Sequence, residues 1–267
     1  MTLLIQGLSW GHPIPGGGWR QLFKGFDLSC GNGQFVTVIG NNGSGKSTLL
    51  NLIAGTLKLK GGSLELGGRP LHRYPDHRRA RWIGRVMQNP LEGTCPGLSI
   101  AENLRLAERR RNSGLSASGL LGLRPSGNDR KRYQALLEEL GIPLAHRLDA
   151  LVGELSGGQR QTLSLVMATM GSPELLLLDE HTAALDPKAE AMVMGLTDRL
   201  VRQLGATALM VTHSLEQALQ YGDRLLMLRD GQVAHDWDAA ARQQLTADAL
   251  RQLYGSGTVT TPTVDQP

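Results

Sequence analysis

The residues with the clearest chemical implication are Gly40-Asn41-Asn42-Gly43-Ser44-Gly45-Lys46-Ser47, followed by Thr48. In a GxxxxGK[ST] spacing the glycines let main-chain N–H groups wrap a phosphate, and the lysine reaches the β- and γ-phosphates. Ser47 or Thr48 offers a hydroxyl to Mg²⁺. The flanks fit this chemistry. Phe35-Val36-Thr37-Val38-Ile39 reads as a strand entering the loop, and Leu49, Leu50, Leu52 and Ile53 read as a helix ending at Gly55. The positive end of that helix dipole favours an anion. A metal held beside the phosphates needs a carboxylate, and Leu175-Leu176-Leu177-Leu178-Asp179-Glu180 presents two at the end of an aliphatic strand. Asp179 is the candidate holder of Mg²⁺ through water, and Glu180 the group that orients or deprotonates an attacking water. Leu155-Ser156-Gly157-Gly158-Gln159-Arg160-Gln161 sets a serine and two glycines ahead of a helix, a second anion grip. A second grip makes sense if it serves a nucleotide held by a partner.

The surrounding pattern supplies elements to carry these groups. The first 39 residues hold a strand at Leu3-Leu4-Ile5, a Gly/Pro loop over 11–18 and a strand around Phe26-Asp27-Leu28. Asn32-Gly33 then signals a hairpin, since both residue types tolerate positive φ. Ser63-Leu64-Glu65-Leu66 followed by Gly67-Gly68 predicts another. Residues 89–153 are helical in texture, with a capping-box spacing from Ser99 to Glu102 and an amphipathic stretch over 132–140. Residues 109–131, rich in Arg, Gly and Ser, read as an inserted loop. Its triplets Arg109-Arg110-Arg111 and Arg130-Lys131-Arg132 form either a solvated basic surface or a contact for lipid headgroups or a membrane partner. Strand-like runs at 175–178, 208–211 and 225–228, the last closed by Asp230-Gly231, alternate with helices and favour a parallel sheet covered by helices. Residues 255–267 read as a disordered tail.

Composition narrows the class. Glycine makes up 34 of the 267 residues, about twice the usual share, but without the three-residue period of collagen. Hydrophobic residues at 40% argue against disorder. Two cysteines, Cys30 and Cys95, fit a reducing compartment rather than a disulfide framework. No secretory n-region opens the chain and no run of 18 or more apolar residues crosses it, so neither secretion nor membrane spanning is expected. A net charge of +4 suits nucleic acid or an anionic membrane surface and equally an ordinary soluble protein, of which the last is the reading taken; no nucleic-acid partner is expected.

The motifs stand in the order found in the nucleotide-binding subunits of ATP-binding cassette (ABC) transporters, which the chain resembles over roughly residues 3–235. Leu155 to Gln161 resembles the signature motif. Gln88, in Val86-Met87-Gln88-Asn89-Pro90, matches the Q-loop; Ala184-Leu185-Asp186-Pro187 matches the D-loop; His213, in Val211-Thr212-His213-Ser214, matches the switch histidine. The resemblance implies an α/β P-loop NTPase fold: a RecA-like core with an N-terminal antiparallel β subdomain over 1–88 and 154–254, and an inserted helical subdomain over 89–153. It implies a head-to-tail dimer with two ATP molecules between the phosphate loop of one copy and Ser156, Gly157, Gly158 and Gln159 of the other, with Asp186 at the same interface. Gln88 would sense Mg²⁺ and water, Ser47 and Asp179 would share the metal, and His213 would contact the γ-phosphate. The family also stacks an early aromatic on adenine, for which Trp10 is the candidate, with His12 and Trp19 as rivals.

Most members of the family have proline after the catalytic glutamate, whereas this chain has Glu180-His181-Thr182. With Gly84-Arg85-Val86-Met87-Gln88-Asn89-Pro90 and Gly93-Thr94, this resembles a subgroup of bacterial importer ATPases labelled as tryptophan/tyrosine uptake systems. The expected partners are a second copy of the chain, separate transmembrane permease subunits and a substrate-binding protein acting through the permease. The expected location is the cytoplasmic face of the inner membrane, and the expected cargo an amino acid or similar small molecule. Alternatives are a soluble ATPase of iron–sulfur-type cofactor assembly and an exporter ATPase.

Overall fold

A computed structural model describes residues 2–112 and 124–255. The chain divides into a first unit, Met1–Tyr74 with Thr207–Pro267, and a second, Pro75–Ala206. The first unit begins with β1 (Leu3–Pro13), β2 (Trp19–Cys30), β3 (Phe35–Gly40), α1 (Lys46–Ala54), β4 (Gly61–Leu66) and β5 (Arg69–Pro70). The second contains α2 (Asp76–Arg79), β6 (Ile83–Val86), α3 (Ile100–Asn112), α4 (Gly127–Glu139), α5 (Gly157–Thr169), β7 (Leu175–Asp179) and α6 (Pro187–Leu204). The chain returns to the first unit through β8 (Thr207–Val211), α7 (Leu215–Gln220), β9 (Arg224–Arg229), β10 (Gln232–Trp237), α8 (Ala239–Gln243) and α9 (Ala247–Gly255).

Two sheets build the first unit. The antiparallel sheet runs β2-β1-β4-β5. Leu3, Ile5 and Leu8 are buried while Gln6 and Gly7 face outward, the half-covered pattern of a sheet with one wet face. In the other sheet, β3 lies between β8 and β9, parallel to both, and β10 adds an antiparallel edge beyond β9. All six residues of β3 are buried, as its unbroken apolar run requires of a central strand. In the second unit β6 and β7 pair in parallel, Val86 opposite Leu178.

Two expectations need correction. Asn32-Gly33 is a turn but joins no hairpin: β2 pairs with β1, whereas β3 pairs with β8 and β9. Gly33 has φ 68° and its N–H donates to Thr207 Oγ1 at 3.1 Å. A local Asn-Gly signal specifies backbone conformation, but the burial of β3 on both faces decides which sheet receives the next strand. The hairpin lies earlier, where β1 and β2 pair from Leu3 opposite Cys30 to Pro13 opposite Trp19.

Residues 109–131 are not wholly a loop. α3 continues to Asn112 and α4 starts at Gly127, its N-terminus closed by a reciprocal box in which Ser126 Oγ accepts from Asp129 N and Asp129 Oδ2 accepts from Ser126 N. That S-x-x-D box starts the helix five residues ahead of the apolar stretch that marked it. Residues 113–123 lie outside the described residues, as does the expected tail over 255–267 apart from Gly255, which is not tail but the last residue of α9. The second basic triplet is largely spent within the unit, because Arg130 pairs with Asp149, and Arg132 with Glu108 at 2.6 Å and Asp129 at 3.1 Å.

Candidate functional site

Strand β3 delivers the chain into the loop 40–45, and α1 leaves it. Gly45 is the N-cap of α1, at φ 107°, and no side chain caps the helix. A helix start without a side-chain cap is the arrangement that can receive an anion. A side chain at position 45 would place its Cβ 2.8 Å from Phe23 Cζ of β2, so both conformation and space demand glycine there. Lys46 is buried, and its Nζ donates to the carbonyls of Gly40 at 2.7 Å and Asn41 at 3.2 Å. The ammonium thus lies against the loop's own backbone, while Asn41, Asn42, Gly43 and Ser47 are exposed and Ser44 and Gly45 buried. The β9–β10 turn braces the loop from behind, Gly231 N–H donating to Ser44 O at 3.1 Å.

Strand register groups the remaining residues. In the first unit Val38 lies opposite Val211, so Gly40 and the exposed His213 leave the same carboxyl edge of adjacent strands. The turn carrying His213 is fixed on both sides: Thr212 Oγ1 donates to Gln217 Oε1 at 2.7 Å, and Ser214 caps α7 by accepting from Gln217 N. In the second unit the pairing of Val86 with Leu178 sends Gln88 and Glu180 off one edge together. Glu180 is half-buried with φ 46°, a left-handed backbone rare outside glycine, and its carbonyl accepts from Ala183 N at 3.0 Å. Strain of this kind is tolerated where a side chain must be aimed.

Asp179 ends β7 buried, and Arg85 Nη2 of β6 reaches its Oδ2 at 3.3 Å. No motif in the sequence singles out Arg85, because its contact with Asp179 is set by the register of β6 on β7. His181, which follows Glu180, is buried with its Nε2 3.0 Å from Thr197 Oγ1. Thr197 donates its hydroxyl to Val193 O at 2.8 Å, which leaves its oxygen to accept from His181 Nε2–H. Burial lowers the His181 pKa from 6.5 to about 4. Between those values the unfolded chain binds more protons than the folded one, so the stability contribution is intact above pH 6.5 and falls as pH drops towards 4. Wild type should therefore lose about 2 kcal/mol between pH 7 and pH 5 through this residue. In urea titrations at the two pH values His181→Leu should lack that increment, and an equal pH dependence in both proteins would contradict the assignment.

The signature segment enters α5. Ser156 Oγ accepts from Gln159 N at 3.3 Å and Gln159 Oε1 accepts from Ser156 N at 3.1 Å, so the two side chains order each other at the exposed end of the helix. Gly157 is exposed, while Gly158 is buried where a Cβ would stand 2.8 Å from Ala189 Cβ. Asp186 caps α6, its Oδ1 accepting from Lys188 N and Ala189 N, with Pro187 in the first helical turn. Gln161, also missed, donates from Nε2 to Met87 O at 3.2 Å and so ties α5 to the residue preceding Gln88. Beyond Gln88, the fully buried Asn103 shapes the chain: its Nδ2 donates to the carbonyls of Cys95, Leu98 and Ser99, and its Oδ1 accepts from Cys95 N.

Trp10, His12 and Trp19 stand in one cluster. The Trp10 and His12 ring centroids are 5.9 Å apart, and Lys60 Nζ lies 3.5 Å from the Trp19 centroid and 5.7 Å from that of Trp10. Lys60 is held there by donating to Gly11 O at 2.8 Å. In the first unit a helix start without a side-chain cap, a buried lysine and the Ser47 hydroxyl are groups of the kind that suit the phosphates of a nucleoside triphosphate, and in the second unit the Asp179 carboxylate is a hard oxygen ligand of the kind that suits Mg²⁺. Among the described residues no cluster of three or more His, Cys, Asp or Glu could hold a metal alone. No helix among them is long and apolar enough to cross a membrane.

The sequence profile of the ABC transporter family matches residues 23–183. The chain is 42% identical over 253 residues to a tyrosine transport ATP-binding protein of Clostridioides difficile (strain R20291), covering 94% of this chain and 98% of that one. It is 35% identical to the phosphonates import ATP-binding protein PhnC 1 of Ruegeria sp. (strain TM1040), covering 87% and 88% respectively. Among solved structures, the dimeric post-hydrolysis ATP-binding cassette MJ0796 bound to ADP and Pi superposes with a TM-score of 0.73 at 27% identity, over 89% of this chain and 98% of that one.

Proposed function

The chain belongs to the ABC transporter family as an ATP-binding, ATP-hydrolysing subunit, and from that premise we propose that it energises a bacterial importer by hydrolysing ATP between two of its own copies. The observation that carries the reading is the loop 40–47, where a helix start without a side-chain cap faces the same backbone that holds the Lys46 ammonium. ATP would lay its β- and γ-phosphates on those N–H groups and draw Lys46 Nζ from the carbonyls of Gly40 and Asn41 onto the phosphate oxygens. Ser47, Asp179 and Gln88 would hold Mg²⁺, which when bound supplies neutralisation of charge on the β- and γ-oxygens. Glu180 orients and deprotonates the attacking water, and His213 contacts the γ-phosphate. Trp10 stacks on the adenine.

Ser156 and Gln159 are already ordered against each other, so the signature end of α5 is preformed for the nucleotide held by a second copy. A ligand bridging two surfaces stabilises the closed pair, and loss of the γ-phosphate releases it. Gln88, next to the Met87 carbonyl that Gln161 holds, carries the change towards a transmembrane permease. The relative named for tyrosine transport supports an amino acid or similar small molecule as cargo, delivered to the permease by a substrate-binding protein. Purification of the native complex from membranes through a tag on this chain should yield a polytopic membrane subunit and, in native mass spectrometry, a bound molecule of amino-acid size. Recovery with soluble cofactor-assembly proteins instead would contradict the transporter role.

A further inference from the structure

The last described helix, α9 (Ala247–Gly255), lies beyond the segment that the family profile matches, yet it reaches the phosphate loop. Leu250 is fully buried in a cluster with Ile39, Ala218, Leu225 and Met227, and Leu253 and Tyr254 pack against that cluster. Ile39 immediately precedes Gly40, so the helix is seated behind the point where β3 becomes loop. Arg229 Nη2 donates to Leu253 O and fixes the last turn of α9 to the end of β9. From that turn the Tyr254 hydroxyl accepts the Gly40 N–H at 2.8 Å.

Gly40 has little freedom to respond to its neighbours. A Cβ there would stand 2.2 Å from Leu228 O, so β9 presses directly on it. Both of its polar backbone groups are held: the carbonyl accepts from Lys46 Nζ at 2.7 Å and the N–H donates to Tyr254. When phosphate draws Lys46 away, the carbonyl loses its partner and the Tyr254 contact is what still anchors the first residue of the loop. Burial raises the phenol pKa, so the hydroxyl stays neutral at working pH.

We propose that Tyr254 is a positioning residue for ATP binding, by which the C-terminal helix pins the entry of the phosphate loop in its nucleotide-receptive shape. The inference rests on the ATP-binding reading and adds to it a residue over 200 positions from the loop in sequence. Tyr254→Phe keeps the ring and its packing and removes only the acceptor. A buried donor left unpaired should weaken binding of a fluorescent ATP analogue about tenfold. KM for ATP should rise with it while kcat changes less than about twofold, because no group in contact with the reacting atoms has been altered. Amide exchange should accelerate over residues 40–46 and not over 225–228. Leu250→Ala, which loosens the seat of the helix, should reproduce the loss of affinity. Equal affinity and equal loop exchange in wild type and Tyr254→Phe, with Lys46→Ala impaired, would overturn the role of Tyr254 and leave the ATP site standing. Failure of wild type itself to bind the analogue would overturn the ATP-binding reading as well.

Discussion

Glu180→Gln is expected to bind ATP within about twofold of wild type and to hydrolyse it at least a hundredfold more slowly, the scale set by loss of a general base. The amide preserves the volume of the side chain and one accepting oxygen, but it cannot take a proton. Glu180 is aimed by a left-handed backbone at φ 46° that Ala183 N–H closes onto its carbonyl, and a Gln there inherits that geometry. The loss should therefore fall on kcat, with KM little changed. Phosphate release under saturating Mg²⁺ and ATP measures the first, and titration with a fluorescent analogue the second. Turnover near wild type in this variant would remove Glu180 from the catalytic role.

Lys46→Ala should act on the other parameter, weakening ATP binding on the order of a hundredfold, the worth of a lysine–phosphate contact in a desolvated site. Two losses combine. The triphosphate loses its cation, and the carbonyls of Gly40 and Asn41 lose the donor that holds the loop before nucleotide arrives. The fold should survive, because Asn41 is exposed and water can replace the ammonium at its carbonyl. Calorimetric titration with ATP checks the affinity and a thermal scan checks the fold. Unchanged affinity would contradict the assignment of Lys46.

These expectations draw on features of very different legibility. The loop 40–47 was readable because its chemistry is local: glycines, a lysine and a hydroxyl at fixed spacing between a strand and a helix. The capping spacing from Ser99 to Glu102 was readable for the same reason, and Ser99 N indeed donates to Glu102 Oε2 at 2.8 Å. The turn Asp230-Gly231 was readable as a turn, but its contact with Ser44 O was not. Gln161 shows why: its partner is the carbonyl of Met87, a main-chain group that carries no residue identity, so no spacing rule points to it. Tyr254 and Gly40 meet only because β3 is central in its sheet and α9 packs behind it, which is decided by burial rather than local pattern. Arg85 meets Asp179 through the register of β6 on β7. Asn32-Gly33 misled in the converse way: its backbone preference was met while the partner of β3 was chosen by the core.

In the proposed mechanism the catalytic unit is a pair of chains clasping ATP, the phosphate loop of one copy opposite Ser156 and Gly157 of the other. The most direct measurement is the molar mass of Glu180→Gln by light scattering coupled to size-exclusion chromatography, with and without Mg²⁺-ATP. The variant should elute as a monomer without nucleotide and as a dimer with it, and adding Ser156→Arg, which places a bulky cation at the exposed end of α5, should return it to monomer. A mass that stays monomeric at saturating ATP, or a dimer indifferent both to nucleotide and to Ser156→Arg, would contradict the account.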